Sequence, residues 1–218
     1  MVSFLIIILK YTLRNYSFLR ILQIFEASKY ELNGSVLDLG GNDYKHNISY
    51  FFKGNYKIKF ADKFPKNSQT LKIDLEKNKI VNDNYDNICL MNVLEHIKNY
   101  KNVIKLSYDT LESGGKIIGT VPFLFKIHYS PNDYFRFTEQ LLEEELNSFG
   151  FKNIQIKPLS CGMFTNLYSQ IFDFTKKIPL FNVFLIILFL ILDNLFFFLN
   201  KNYKKNYPLG YFFSATKN

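Results

Sequence analysis

Cysteine and histidine are nearly missing from this chain: its 218 residues hold 2 of the first, Cys89 and Cys161, and 3 of the second. Two cysteines make no disulfide framework, and no Cys/His spacing matches a metal motif. No metal is therefore expected, and a reducing compartment fits. Arginine-rich blocks and alternating aromatic and basic residues are also missing, so no nucleic acid is expected. The opening "MVSFLIIILK" has no basic region before it and no small-residue cleavage site after it. It is expected to begin a helix rather than a signal peptide, and it is too short to span a bilayer.

What remains is apolar and basic. Hydrophobic residues make up 48% of the chain, enough for a substantial core, and the formal charge is +8. Two origins of that charge stay open: an anionic partner such as a membrane surface, or the Lys- and Asn-rich bias of AT-rich codons. Glycine is scarce at 10 residues, so the adjacent pair in "GSVLDLGGND", Gly34 to Asp43, carries information. A short apolar run ends in Asp38, and Gly40 and Gly41 follow directly.

The periodicities alternate along the chain. Leu13, Phe18, Leu19, Leu22 and Phe25 have the spacing of one helical face within residues 1–30. "SVLDL", "KIKFAD", "LKID" and "YDNICLMN" read as four buried strands, with Asp38, Asp62, Asp74 and Asn92 at or near their ends. "NVIKLSYDTLES" reads as a helix stopping at Gly114-Gly115. "KIIGTVPF" is a fifth strand. "TEQLLEEELNSFG" is a helix capped by Thr138 with Gly150 past its end. "FKNIQIKPL" and the tail "YPLGYFFSATKN" are strands six and seven. Strands alternating with helices predict an α/β fold, a mostly parallel sheet covered by helices on both faces. Its ligand is expected beyond the carboxyl ends of the strands.

Two ligand classes use a glycine turn after the first strand. The dinucleotide fingerprint G-x-G-x-x-G is not met by Gly40-Gly41-Asn42-Asp43-Tyr44-Lys45, and no tyrosine has a lysine four residues on. S-adenosylmethionine suits the residues better. It has no pyrophosphate to cradle, and it carries a sulfonium cation, an amino acid and an adenosine. Asp38 suits the cationic side, Asp62 the ribose hydroxyls, and Asp74 the adenine amino group.

The succession "VLDLGG", "FADKFP", "LKIDLEK", "YDNICLMNVLEHI", "LESGGKIIGTVPF" and "SFGF" resembles class I S-adenosylmethionine-dependent methyltransferases, the type 11 group in particular, over about residues 34–157. The resemblance implies a Rossmann-like seven-stranded sheet with a reversed last strand. It also implies that Asp38, Gly40 and Gly41 line the methionine end of the cofactor, that Asp62 and Asp74 hold its adenosine, and that Asn92 faces the methyl group. "HYSPNDYFRFT" looks like a bacterial subgroup whose members often occur among genes for surface polysaccharides. A hydroxyl acceptor must lose a proton during transfer. His128 is the first candidate base and Asp133 the second. Arg136 is placed to grip an anionic substrate group, and His96 to fix the turn or touch substrate. The usual family turn, D-x-G-x-G-x-G, has Asn42 and Tyr44 in place of two glycines. Asn42 is expected to keep the turn in a left-handed backbone.

One segment breaks the alternation. "IPLFNVFLIILFLILDNLFFFL", Ile178 to Leu199, is long enough to cross a bilayer. Lys176, Lys177, Lys201, Lys204 and Lys205 flank it on both sides, and Asp193 interrupts it, both of which disfavour a crossing. A last strand in residues 207–218 is also incompatible with a single crossing. A monotopic anchor is the favoured reading. A re-entrant hairpin with residues 163–175, and packing against the sheet or a second subunit, stay open.

The expected organisation is a helical segment 1–33, a cofactor-binding core 34–160, an apolar helical insertion 161–206 and a last strand 207–218. The expected function is methyl transfer to an oxygen, or less readily a nitrogen, of a small-molecule or glycan-type acceptor. Its expected place is the cytoplasm, attached to the inner face of the membrane. The rival reading is a membrane-attached, non-catalytic binding protein on the same frame.

Overall fold

Short apolar runs become strands and amphipathic ones become helices in the computed structural model, which describes residues 2–42, 47–77, 84–129 and 131–218. Tyr44 lies outside them. The strands are β1 (Gly34–Leu39), β2 (Tyr56–Asp62), β3 (Leu71–Lys72), β4 (Tyr85–Met91), β5 (Leu111–Pro122), β6 (Lys152–Leu159) and β7 (Gly210–Thr216). They form one sheet in the order β3-β2-β1-β4-β5-β7-β6. β1 pairs in parallel with β2 and with β4, β2 with β3, and β4 with β5. β7 runs the other way, since Gly114 N–H donates to the Lys217 carbonyl and Phe123 N–H to the Leu209 carbonyl. The sheet is thus the seven-stranded, mostly parallel one with a reversed last strand.

Val36, Leu37, Leu39, Ile88, Cys89, Leu90, Ile117 and Ile118 are each 0% exposed. Burial on both faces of a parallel sheet is why these strands read as unbroken apolar runs. Each large apolar side chain buried this way contributes roughly 1.5–3 kcal/mol.

Three element boundaries differ from the sequence reading. Residues 1–30 form two helices, α1 (Val2–Thr12) and α2 (Phe18–Ala27), broken where Asn15 takes a left-handed backbone with φ 59. The helix α3 (Tyr100–Thr110) does not run to Gly114-Gly115. Leu111 instead opens β5, buried and opposite Tyr85, so cross-strand burial outweighs the glycine stop signal. The third strand ends at Lys72, and Asp74 follows it in a turn. The helix α4 (Glu139–Ser148) forms as expected, with Thr138 Oγ1 accepting from Leu141 N–H at 3.2 Å.

The chain divides into two compact units. One comprises residues 27–121, 127–157 and 212–218, and the other residues 1–26, 122–126 and 158–211. The second contains α5 (Met163–Thr175), α6 (Pro179–Leu199) and α7 (Tyr203–Asn206). α6 starts with Pro179, whose missing N–H costs nothing at a helix N-terminus. It packs against α5, and its polar residues explain how. Asn182 is 0% exposed; its Oδ1 accepts from Thr175 Oγ1 and its Nδ2 donates to the Thr175 carbonyl at 2.9 Å. Asp193 is 1% exposed and accepts from the N–H groups of Phe164 and Thr165, at 2.9 Å each. Tyr203 Oη adds a third donor to Asp193 at 2.8 Å. The residues that looked costly in the apolar run therefore cap and pin α5, with the carboxylate at its positive end. β7 follows α6 and joins the sheet built from earlier strands, so α6 does not make a single crossing.

Asp193→Ala leaves two helix N–H groups without an acceptor. The expected loss is about 2 kcal/mol, read as a lower urea midpoint. An unchanged midpoint would mean that α5 does not depend on α6.

Candidate cofactor pocket

A cavity of about 500 Å³ opens beyond the carboxyl ends of β1, β2 and β4, where the strand order reverses. Gly40, Asn42, Asp62, Asp74, Asn92 and His96 are among its lining residues. Parallel pairing brings them together: Leu39 is opposite Ala61, and the turn after β1 is tied down by Gly40 N–H donating to the Ala61 carbonyl at 2.7 Å.

The turn depends on its glycines for two different reasons. Gly40 has φ +80, and a Cβ there would stand 2.6 Å from Val93 Cγ2. Gly41 covers the Asp38 carboxylate so closely that a Cβ would lie 2.5 Å from Asp38 Cγ. Asp38 is consequently 1% exposed and takes a 2.6 Å hydrogen bond from Ser49 Oγ. It braces the turn from beneath, and neither Asp38 nor Gly41 is among the residues lining the cavity, unlike the expectation that both would face the ligand. Asn42 keeps the turn by a different device from the one expected. Its φ is not left-handed; its Oδ1 accepts from Lys66 N–H at 2.9 Å and its carbonyl from Asn47 Nδ2 at 3.2 Å. The pocket-lining asparagine that is left-handed is instead Asn92, with φ 58, whose Oδ1 accepts from Thr120 Oγ1 at 3.1 Å.

Asp62 and Asp74 both line the cavity. Asp62 Oδ1 accepts from Phe64 N–H at 2.7 Å in a local turn. Lys63 Nζ stands 3.1 Å from Asp74 Oδ2, and this hydrogen bond holds the Asp74 carboxyl below its usual range. Asp74 Oδ1 takes the Glu76 N–H. Both acids are aimed by backbone contacts, a fixed pair of acceptors for the hydroxyl and amino donors of an adenosine.

The "HYSPNDYFRFT" segment is built around Asp133, whose side chain is 1% exposed. Arg136 grips it with both terminal nitrogens, Nη2 at 2.7 Å from Oδ2, and the His128 N–H donates to the same oxygen at 2.8 Å. The Arg136 hydrogen bond pulls the Asp133 carboxyl down to about 2. Its stabilising effect is complete above the ordinary carboxylate value and is lost as pH falls from there through about 2. So strong an ion pair makes Asp133 a poor base, and it occupies the Arg136 fork expected to grip substrate. These two residues brace the loop.

The sequence reading missed Glu95. It sits in the 3₁₀ turn Leu94–His96, where its carbonyl accepts from Tyr134 N–H at 2.8 Å. Burial pushes its carboxyl up to about 8. His96 Nε2 is 3.6 Å and His128 Nε2 4.0 Å from Glu95 Oε1. The signal was the acid beside His96 in "LEH"; His128 comes from a distant loop, which no local spacing can disclose.

A family described as "Methyltransferase domain" matches residues 12–156. The chain belongs to this family. No curated protein matches it. Among solved structures it is similar to phosphoethanolamine N-methyltransferase 2 of Haemonchus contortus in complex with S-adenosylmethionine, at 15% identity and TM-score 0.57. That likeness covers 89% of this chain and 52% of the other, so the chain spans about half the length of this relative. A Thermotoga maritima S-adenosylmethionine-dependent methyltransferase, a possible histamine N-methyltransferase, is similar at 12% identity and TM-score 0.57, over 95% and 92% of the two chains. A putative methyltransferase of Listeria monocytogenes is similar at 15% identity and TM-score 0.55, over 91% and 98%. At such identities the structures share a fold, the class I methyltransferase fold, whose cofactor is S-adenosylmethionine. The pocket's residues fit that molecule: Asp62 and Asp74 as acceptors for the adenosine, and the Cβ-free turn at Gly40 for close approach of its amino acid end.

Asp62→Ala is expected to weaken S-adenosylhomocysteine binding at least about 10-fold by calorimetry, the loss of a charged hydrogen bond. Unchanged affinity would take Asp62 out of the cofactor site.

Proposed function

We propose that this chain transfers the methyl group of S-adenosylmethionine to an oxygen of a small-molecule or glycan-type acceptor. The observation that carries this reading is the single cavity in which the Gly40 turn, Asp62, Asp74 and Asn92 meet His96. When bound, the cofactor supplies an electrophilic methyl: the acceptor oxygen's lone pair forms the new bond, the C–S pair stays on sulfur, and the hydroxyl proton departs. The protein's part is alignment, which contributes much of the rate in such displacements. It must also manage that proton, and His96 and His128, their rings 4.9 Å apart, are the titratable groups placed for it. An amine acceptor would need less help of this kind, so the paired imidazoles favour oxygen. The polysaccharide setting follows from the resemblance of "HYSPNDYFRFT" alone. The pocket and the family membership count against the non-catalytic reading.

Incubation with S-adenosylmethionine labelled in its methyl group tests the proposal, using a panel of hydroxylated sugars and phenols with amines as the comparison. Label is expected in an O-methyl product and strongly reduced by Asp62→Ala. Transfer only to amines, or no transfer despite cofactor binding, would contradict it.

A second observation supports attachment to an anionic lipid surface. α6 is long and apolar enough to cross a membrane, with mean hydropathy 2.4, and only 17% of its most apolar stretch is buried. Asn182 and Asp193 turn inward to α5, while Leu180, Phe184, Phe198 and Leu199 are 78%, 59%, 89% and 79% exposed. Apolar surface flanked by five lysines suits a monotopic helix on anionic headgroups. Co-sedimentation with phosphatidylglycerol vesicles is expected. Leu180→Asp with Phe198→Asp should abolish it, and neutral vesicles should bind less. Equal recovery with and without vesicles would contradict the attachment.

A further inference from the structure

The Glu95 carboxylate is the least satisfied polar group beside the pocket. It is 0% exposed, and neither of its oxygens makes a hydrogen bond. Burial favours the neutral acid here, so Glu95 takes up its charge where something positive meets it. What meets it are two imidazole nitrogens. The ligating atoms of Glu95, His96 and His128 all lie within 4.8 Å of one another.

The tautomer of His96 decides what this grouping can hold. His96 Nδ1 contacts the Asn132 carbonyl oxygen. A carbonyl only accepts, so Nδ1 carries the hydrogen, which leaves Nε2 as the ligating atom facing Glu95 Oε1 at 3.6 Å. That separation exceeds a hydrogen bond, so a shared proton does not bridge it. It does suit two ligands of one ion, since bonds of about 2.0–2.1 Å place such atoms roughly 3–4 Å apart. His128 Nε2, 4.0 Å from the same oxygen, supplies the third ligand, and its Nδ1 is 3.5 Å from Asp133 Oδ2. His96 thus has a carbonyl behind it, the arrangement that orients a metal-ligating histidine, while His128 Nδ1 makes no hydrogen bond and only faces the Asp133 carboxylate.

We propose that Glu95, His96 and His128 form a divalent cation site at the rim of the pocket. Two imidazoles and one carboxylate select a borderline ion of the Mn²⁺ to Zn²⁺ series over Mg²⁺ or Ca²⁺. Three protein ligands leave room for an outside oxygen, and His128, with its side chain 32% exposed, marks the open side. The site's role rests on the methyltransferase reading. There a bound cation would lower the pKa of an acceptor hydroxyl, so His96 and His128 would manage its proton as ligands of the ion, with solvent taking it up, rather than as free bases. Binding of the ion does not depend on that reading.

The test is titration of tag-free, chelator-treated protein with Co²⁺, followed by its visible absorption, with Zn²⁺ as competitor. The expected result is one saturable equivalent displaced by Zn²⁺. Glu95→Gln, close to isosteric, and His128→Asn should each weaken it more than about 10-fold. S-adenosylhomocysteine binding is measured on the same samples. Cofactor binding kept while Co²⁺ binding is lost supports the site. If Glu95→Gln fails to fold, His128→Asn decides. Wild type that binds S-adenosylhomocysteine but no Co²⁺, or Co²⁺ bound equally by folded Glu95→Gln or His128→Asn, overturns the site and leaves the methyltransferase reading standing. Loss of cofactor binding in wild type would instead overturn that reading.

Discussion

Parallel pairing around β1 is the constraint on which the pocket depends. Asp38 stands opposite Phe60 on one side and Cys89 on the other, so three strands finish at nearly one level. Phe60, Cys89 and Leu90 are buried there, and a shift of one residue would exchange the faces of every side chain on the slipped strand. Register therefore fixes where Gly40, Asp62 and Asn92 emerge. Once those positions are set, the turn needs only local closure, which Ser49, Asn47 and Lys66 provide through Asp38 and Asn42. The shape of the cavity is thus built mostly on backbone geometry that the core enforces.

Much of this was legible in the sequence because burial on both faces leaves unbroken apolar runs, and strand ends carry the acids. Asp62, Asp74, Asn92 and Gly40 all line the cavity as those patterns implied. What was illegible involved competition or distance. The glycine pair at Gly114-Gly115 looked like a helix stop, but the pull of Leu111 into the core extended β5 backwards. Asp38 looked ligand-facing, yet the Gly41 backbone lies over it. Arg136 and Asp133 each looked available, and each consumes the other. The grouping of Glu95 with His96 and His128 arises because the Asp133 loop docks on the 3₁₀ turn through the Glu95 carbonyl, a contact between distant segments.

The other compact unit follows a complementary logic. Asp193 and Asn182 are expensive in an apolar helix unless satisfied; Asp193 takes two N–H groups at the start of α5, and Asn182 bonds the Thr175 carbonyl and hydroxyl at its end. The two helices are therefore mutually dependent, and the exposed side of α6 is left free of polar residues with a structural duty. An exposed apolar surface and a well-anchored helix pair arise from the same arrangement.

The central claim is that the turn after β1 and the ends of β2 and β4 hold S-adenosylmethionine. Amide hydrogen exchange of the whole protein, with and without S-adenosylhomocysteine, tests it most directly. The account predicts slowed exchange at residues 38–42, 60–64 and 92–97, and little change in α5 and α6. No ligand-dependent protection, or protection confined to residues 163–199, would contradict it.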